Sequence, residues 1–146
     1  MICYVDSSAL VRRYLSDEPR DERVSRLAAD PDVVLVSGSW TRIEVTGALV
    51  RAGRASRGDS LTLIDRFERD CAPAGGAIIL IDVEQATVEN VALALVRRYG
   101  LRAMDAWHLA CAHAARAELP APEGFAFLTH DAEQSAAARL LGFAPA

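Results

Sequence analysis

The sequence predicts an α/β fold in which a mostly parallel central sheet of four to five strands lies between two layers of helices. Short runs of β-branched and aliphatic residues alternate with longer segments of helical period, and this alternation is typical of β-α units. Acidic residues follow several of the runs, where the carboxyl ends of parallel strands form a ligand-binding crevice. We therefore expect a three-layer α/β/α domain spanning residues 1–146.

The elements can be placed in order along the chain. The runs with strand character are residues 2–5, 33–37, 77–81 and 125–129. The segments with helical period are residues 8–15, 19–30, 41–52, 56–71, 83–99, 104–118 and 132–141. Gly53 and Gly100 stand where helices can end, and Pro73 with Gly75 and Gly76 precedes a strand.

The composition fits a globular protein, with 51% hydrophobic and 25% charged residues. All sixteen basic residues are Arg, Lys is absent, and the net charge is −4. This charge has the wrong sign for general attraction to phosphate, so contact with RNA would depend on a local Arg patch and a bound metal. The candidate phosphate contacts are Arg12, Arg13, Arg42, Arg97, Arg98 and Arg102.

The cysteines and the absence of long apolar runs indicate the compartment. Cys3, Cys71 and Cys111 are odd in number and lack metal-binding spacing, so we predict buried thiols in a reducing environment. No apolar run reaches the 18 or so residues needed to span a bilayer, and the N-terminus does not resemble a signal peptide. We expect a cytoplasmic protein without membrane contact.

Three aspartates follow predicted strands: Asp6, Asp82 and Asp131. Asp82 precedes a long helix and has Gln85 three residues on, so we interpret it as a helix cap in a capping box and not as a ligand. Asp6 could also be an N-cap, although Ser7 and Ser8 could cap equally well and leave its carboxylate available. Its position favours a ligand.

Two more carboxylates lie on predicted helices. Glu44 is on or beside the apolar stripe that we expect to face the sheet, formed by Trp40, Ile43, Gly47 and Val50. A carboxylate there should bind a cation or pair with an Arg, and Arg51 lies on the same face.

Asp105 opens a helix, where it would interact favourably with the helix dipole whether or not it takes part in chemistry. Its own position therefore does not decide its role.

Taken together, Asp6, Glu44, Asp105 and Asp131 suggest a shared metal site. Close carboxylates repel each other by about 4 kcal/mol per pair at an effective dielectric near 20, and a divalent cation would compensate. Oxygen ligands without a thiolate or imidazole cluster favour Mg²⁺ or Mn²⁺ over zinc. Such ions support hydrolysis of phosphodiesters by water.

The other polar residues near these carboxylates are weaker candidates for a role in the site. Ser7 and Thr129 could orient a carboxylate or a water, or could satisfy local backbone groups. We expect His108, His113 and His130 to be packed or exposed and not catalytic, and His130, beside Asp131, is the one to test.

Four segments of the chain together resemble PIN-domain ribonucleases, and most of all the VapC toxins of bacterial toxin–antitoxin pairs. They are YVDSSALVRRYL at the start, TRIE at 41–44, LRAMDAWHLACA at 101–112 and FLTHDAEQSAAARLLG at 127–142. The resemblance implies a Mg²⁺- or Mn²⁺-dependent endoribonuclease with acidic residues Asp6, Glu44, Asp105 and Asp131 and a hydroxyl at Thr129. It also implies a homodimer and a small antitoxin, which we expect to contact exposed apolar surface and to insert a basic side chain among the carboxylates.

Other functions compatible with a parallel sheet fit less well. A phosphoacceptor receiver domain needs a Lys near its aspartate, and a haloacid-dehalogenase-type phosphatase needs a Lys and a second Asp where this chain has Ser8. The alternative that stays open is a catalytically silent module that uses the same fold to bind protein or RNA.

Overall fold

The computed structural model describes residues 1–15, 22–55, 59–121 and 124–146. Within these residues, five strands form one sheet in which every pairing is parallel. The strands are β1 (Ile2–Val5), β2 (Val34–Gly38), β3 (Ile78–Ile81), β4 (Phe125–Leu128) and β5 (Ala144–Pro145). Their order across the sheet is β3-β2-β1-β4-β5, which confirms the predicted mostly parallel sheet.

Seven helices flank the sheet in the described part of the chain. They are α1 (Ser7–Tyr14), α2 (Glu22–Ala29), α3 (Thr41–Arg54), α4 (Ser60–Asp70), α5 (Gln85–Tyr99), α6 (Ala103–Glu118) and α7 (Ala132–Leu140). Each corresponds to a predicted helix, with ends that differ by a few residues. Residues 19–21 and 56–58 of the predicted helices lie outside the described residues.

The two faces of the sheet are covered by different helices because side chains alternate along each strand. On β1, Ile2 and Tyr4 belong to one buried cluster, which includes side chains of α5, α6 and α7. Cys3 and Val5 belong to the other, with side chains of α1, α2, α3 and α4. This arrangement is the predicted three-layer α/β/α architecture.

Two local predictions were wrong. Gly53 does not end a helix but lies inside α3. An added Cβ there would come within 2.5 Å of the Ser60 Cβ, so this glycine permits close packing of α3 on α4.

Cys71 was predicted to be buried but is half-buried, unlike Cys3 and Cys111. Burial raises the pKa of all three thiols to about 12, which keeps them protonated and unreactive.

The chain order places a crevice at the carboxyl ends of β1 and β4. From β1 the sheet grows outward through β2 to β3, and β4 then pairs with the opposite edge of β1. Ligands bind in open α/β sheets at this kind of reversal in strand order. Asp6 follows β1 and residues 129–131 follow β4, so both predicted strand-end acids border the crevice.

No helix in the described ranges has both the length and the apolar character that crossing a bilayer requires.

Gly38, the last residue of β2, is in close contact with two aromatic side chains. A Cβ added there would lie 2.5 Å from Cη2 of Trp107 and 2.9 Å from the hydroxyl of Tyr4. Real Cβ atoms do not approach other atoms this closely, so a side chain at this position would displace the indole. The close approach of β2 to α6 therefore requires glycine.

We expect Gly38→Ala to destabilise the fold by about 1–3 kcal/mol, because overpacking forces rigid neighbours to move. The matched control is Gly47→Ala inside α3, where the added Cβ meets only the flexible end of Arg51, at 3.3 Å. This control should stabilise the protein by about 0.5–1 kcal/mol, as alanine does relative to glycine in a helix interior. Denaturant unfolding of both variants checks the prediction, which is contradicted if both shift in the same direction.

Candidate functional site

Asp6 is the most deeply buried acid of the crevice, with 3% of its surface exposed. Its Oδ1 accepts hydrogen bonds from the Ser8 hydroxyl at 2.8 Å and from the Ala9 backbone N–H at 3.0 Å. Its Oδ2 accepts from the Thr129 hydroxyl at 3.0 Å. Burial raises the pKa of Asp6 above its ordinary value, although these donors act against the rise.

The bond from Ala9 makes Asp6 the N-cap of α1. The capping interpretation and the ligand interpretation are therefore compatible, since the cap uses one oxygen and a carboxylate has about four lone-pair sites. Ser7 and Ser8, which the sequence offered as alternative caps, instead contact other side chains.

Thr129 and Ser8 connect the ends of β1 and β4. Thr129 is 8% exposed, and its hydroxyl accepts the Asp131 backbone N–H at 3.0 Å while it donates to Asp6. The Ser8 hydroxyl accepts the His130 backbone N–H at 3.1 Å. Both hydroxyls therefore tie the loop after β4 to the buried carboxylate.

Asp131 is the N-cap of α7, and its Oδ1 accepts the Gln134 backbone N–H at 2.8 Å. Its other oxygen has no hydrogen-bond partner among the described residues. Gln134 is fully buried and donates from Nε2 to the Asp105 carbonyl oxygen at 3.1 Å. This bond holds the start of α6 beside the start of α7.

Asp105 lies in the first turn of α6 and is half-buried. Burial and then the negative charges of Asp131 and Asp6 raise its pKa above the ordinary value. Asp105 therefore shares one crevice with Asp6 and Asp131 and is repelled by both. Among the described residues, the Asp105 carboxylate accepts no hydrogen bond.

Glu44 lies at the edge of this group, on α3, and contacts Ser7 and His108. Its Oε2 is 2.5 Å from the Ser7 hydroxyl, which donates to it, and 2.7 Å from Nε2 of His108. Although burial alone would raise it, these hydrogen bonds lower the pKa of Glu44 below its ordinary value. Glu44 is therefore ionised at neutral pH.

A buried hydrogen-bond chain orients the imidazole of His108, which is 2% exposed. The Gly38 backbone N–H donates to the Tyr4 hydroxyl oxygen at 2.9 Å, and this hydroxyl lies 2.9 Å from Nδ1 of His108. Burial raises the pKa of Tyr4 well above its ordinary value, so Tyr4 keeps its proton and can donate it to Nδ1. Glu44 accepts a hydrogen bond from Nε2 on the other side of the ring.

His108 was predicted to be packed or exposed, and it is buried. It also interacts with the acidic residues of the site. It is hydrogen-bonded to Glu44 and acts electrostatically on Asp6 and Asp105. The signal in the sequence was its spacing of three residues from Asp105, which puts both on one face of α6. His113 is exposed, and His130 contributes its backbone N–H to Ser8.

The predicted inner face of α3 was wrong. Trp40 is 52% exposed and Ile43 is 68% exposed, while a different stripe faces the core. The buried residues of α3 are Thr41, Val45, Leu49 and Ala52. The helix carries two apolar stripes, and the one that contains Val45 and Leu49 packs in the core.

The alternative pairing of Glu44 with Arg51 does not occur, because Glu44 bonds to Ser7 and His108 and Arg51 is exposed.

Asp82 does not form the predicted capping box with Gln85. Helix α5 begins at Gln85, its N-cap is Glu84, and Thr87 donates to the Glu84 side chain. Asp82 is exposed two residues before the cap. Asp82 is not among the charges that raise the pKa of Asp105, which are those of Asp131 and Asp6.

The donor set suits a small divalent cation in type and charge. The three aspartates, two of which have oxygens that accept no hydrogen bond from the described residues, offer the hard oxygen ligands that Mg²⁺ prefers. No three described His, Cys, Asp or Glu side chains converge closely enough to hold an ion by themselves. Mg²⁺ commonly binds through one or two carboxylates and completes its shell with water and substrate phosphate, so the donors present fit this mode.

Comparison with known proteins agrees with the fold. The family model of the PIN domain matches residues 3–140. The structure is similar to VapC20 of Mycobacterium tuberculosis, a toxin that cleaves the sarcin–ricin loop, with a TM-score of 0.64 and 18% identity over 99% of this chain and 98% of that one.

A toxin–antitoxin complex from Klebsiella pneumoniae is also similar, with a TM-score of 0.53 and 19% identity over 88% of this chain and 86% of that one. No curated protein sequence matches significantly.

We expect Tyr4→Phe to destabilise the protein by about 1–3 kcal/mol, because it leaves the buried Gly38 N–H and His108 Nδ1 without a partner. The substitution retains the ring stacked on Phe127 at 5.4 Å. Tyr99→Phe is the control, since the Tyr99 hydroxyl has no hydrogen-bond partner in the described ranges. Thermal and urea unfolding would measure both, and equal small effects would show that the Tyr4 hydroxyl does not stabilise the fold.

Proposed function

This chain belongs to the PIN-domain family, and we propose that it is a Mg²⁺- or Mn²⁺-dependent endoribonuclease, the toxin of a type II toxin–antitoxin pair. The observation that carries the proposal is the crevice at the ends of β1 and β4, where hydrogen bonds through Thr129 and Gln134 bring Asp6, Asp131 and Asp105 together. A phosphodiester substrate brings further negative charge to these carboxylates, and a cation would balance it.

The residues of the site divide into two groups under this proposal. Asp105 and Asp131 present oxygens that accept no hydrogen bond from the described residues, so they would bind a cation beside Asp6, with water and substrate phosphate completing its shell. Asp6 is fixed in orientation by its three donors, and Thr129 and Ser8 are positioning residues that act through it. The fixed geometry limits the reorganisation needed when a substrate binds.

Glu44 would complete the acidic set from α3. Because its pKa is lowered, it stays ionised and is suited to orient an attacking water or a hydrated cation, and not to supply a proton. Ser7 and His108 keep its Oε2 occupied and leave Oε1 without a hydrogen-bond partner among the described residues. When bound, Mg²⁺ or Mn²⁺ would activate water and stabilise charge on the phosphoryl oxygens.

We expect Asp6→Asn to reduce metal-dependent RNA cleavage by about 100-fold or more, the size of effect found when one electrostatic stabiliser is removed. Asn caps helices as well as Asp does, so the fold should persist while the charge is lost. The charge-matched control is Asp65→Asn, at an exposed position of α4. Cleavage of a mixed RNA pool would be followed with and without a chelator.

Cleavage that survives Asp6→Asn, with contaminating nuclease excluded, would refute the assigned site. A wild-type protein that binds RNA or protein but cleaves nothing with either metal would instead favour the catalytically silent binding module.

A bound cation would relieve the repulsion among the carboxylates, and we therefore expect metal to stabilise the protein. Millimolar Mg²⁺ or Mn²⁺ should raise the melting temperature, because a ligand that binds only the folded state stabilises it. Asp105→Asn removes one of the repelling charges, so without metal it should melt higher than wild type, and it should gain less from metal. Differential scanning calorimetry with and without each ion tests this, and an equal metal shift in both proteins would contradict a shared site.

We also propose a homodimer that acts in the cytoplasm and is held inactive by a small antitoxin encoded beside it. The similarity to a toxin–antitoxin complex supports this partner. Expression of the chain alone should arrest growth, and the neighbouring small reading frame should relieve the arrest. Mapping RNA ends in arrested cells would then identify the substrate.

A further inference from the structure

The chain has two tryptophans, Trp40 and Trp107, and both lie beside the acidic crevice. Their ring centroids are 6.0 Å apart at an interplanar angle of 45°, which is direct aromatic contact. Trp40 precedes α3 and is 52% exposed. Trp107 is on α6 and is half-buried against Gly38.

The pair is joined to the site through His108. The Trp107 ring meets the His108 ring edge-on at a centroid distance of 5.2 Å, and His108 in turn contacts Glu44. The indole of Trp107 packs against Gly38, which has no side chain that would occupy the same space. One tryptophan is therefore firmly seated, and the other extends its surface into solvent.

A groove of about 510 Å³ runs from this pair between α5 and α6. Its apolar wall includes Leu93, Val96 and Met104, and its rim carries the acids Asp82 and Glu89. Acidic side chains repel phosphate, so a nucleic-acid backbone would not enter the groove. An uncharged, flat and apolar group would, and carboxylates at the rim can accept hydrogen bonds from the amino groups of nucleobases.

We propose that Trp40 and Trp107 form a stacking platform for an unpaired base of the RNA substrate, next to the bond that is cut. The proposal rests on the ribonuclease function proposed above. The direct ring contact leaves no space between the indoles, so the base would lie on the outer face of the pair. Arg102 is exposed at the end of the groove beside Ala103, and its charge acts on Asp105, so it can hold the phosphate that links this base to the crevice.

The charge of the protein explains why such a platform is needed. A chain with net charge −4 and no Lys attracts RNA weakly through electrostatics. Stacking on an aromatic side chain contributes about 1–3 kcal/mol per base and does not depend on net charge. It also selects single-stranded RNA, because paired bases do not expose their faces.

Steady-state cleavage of a mixed-sequence single-stranded RNA tests the platform. Trp40→Ala should raise KM about tenfold, the change that stacking of one base implies, with a smaller change in kcat, and Trp40→Phe should restore most of the loss. Ile43→Ala is the matched control, an apolar side chain that is 68% exposed on the same helix and is not part of the groove wall. Melting temperatures would exclude unfolding as the cause.

Intrinsic fluorescence gives a second readout, because both tryptophans are in the platform. With a chelator present to prevent cleavage, a single-stranded 12-nucleotide RNA should quench the tryptophan emission. An abasic ribose-phosphate strand of the same length should not. In Trp40→Ala the quenching should shrink, and in Ile43→Ala it should match the wild type.

The outcomes separate the two proposals. If the wild type cleaves RNA but Trp40→Ala leaves KM unchanged, the platform is refuted and the ribonuclease stands. If the wild type cleaves no RNA, the ribonuclease proposal fails and the platform fails with it. Emission that changes with protein concentration or with added antitoxin, but not with RNA, would overturn the platform and assign the groove to a protein partner.

Discussion

The parallel pairing of β1 with β4 is the contact on which the site depends. It aligns Val5 with Leu128, and the Asp6 backbone N–H donates to the Leu128 carbonyl oxygen at 3.0 Å. Asp6 and Thr129 directly follow these adjacent strands, and the Thr129 hydroxyl donates to Oδ2 of Asp6 at 3.0 Å. A slip of one residue would turn every side chain of a strand to the opposite face, so the aromatic and aliphatic packing of both sheet faces also fixes the geometry of the carboxylate.

The fold compensates the burial of the crevice acids to different extents. Asp6 is almost completely enclosed, which would be costly for a charged group without hydrogen bonds, and its three donors offset that cost. Asp105 is less buried but has no such donors among the described residues, and burial together with the neighbouring aspartates raises its pKa. The crevice thus combines one carboxylate that the fold satisfies with two that it leaves to be satisfied by something else, which is the expected signature of a functional site.

The parts of the site that sequence could predict are those determined by chain topology. Asp6 directly follows β1 and Asp131 lies three residues after β4, so a parallel sheet brings both to the same edge. The rotation of α3 was not predictable, because a helix with two apolar stripes has a clear period but no local indication of which stripe faces inward. The contact between His108 and Tyr4 spans 104 residues, so no local pattern contains it. The cap of α5 was misplaced by two residues, an ordinary uncertainty for helix ends.

The rotation of α3 also explains why the tryptophans lie where they do. Val45 and Leu49 lie in the core, and Glu44, the residue before Val45, contacts His108. Residues four apart lie on the same face of a helix, so any rotation that delivers Glu44 to His108 also brings Trp40 to that side. Trp107 is adjacent to His108 in sequence, and the two indoles meet. The acidic site and the aromatic surface beside it are therefore consequences of one packing choice, and a substitution that rotates α3 would disturb both together.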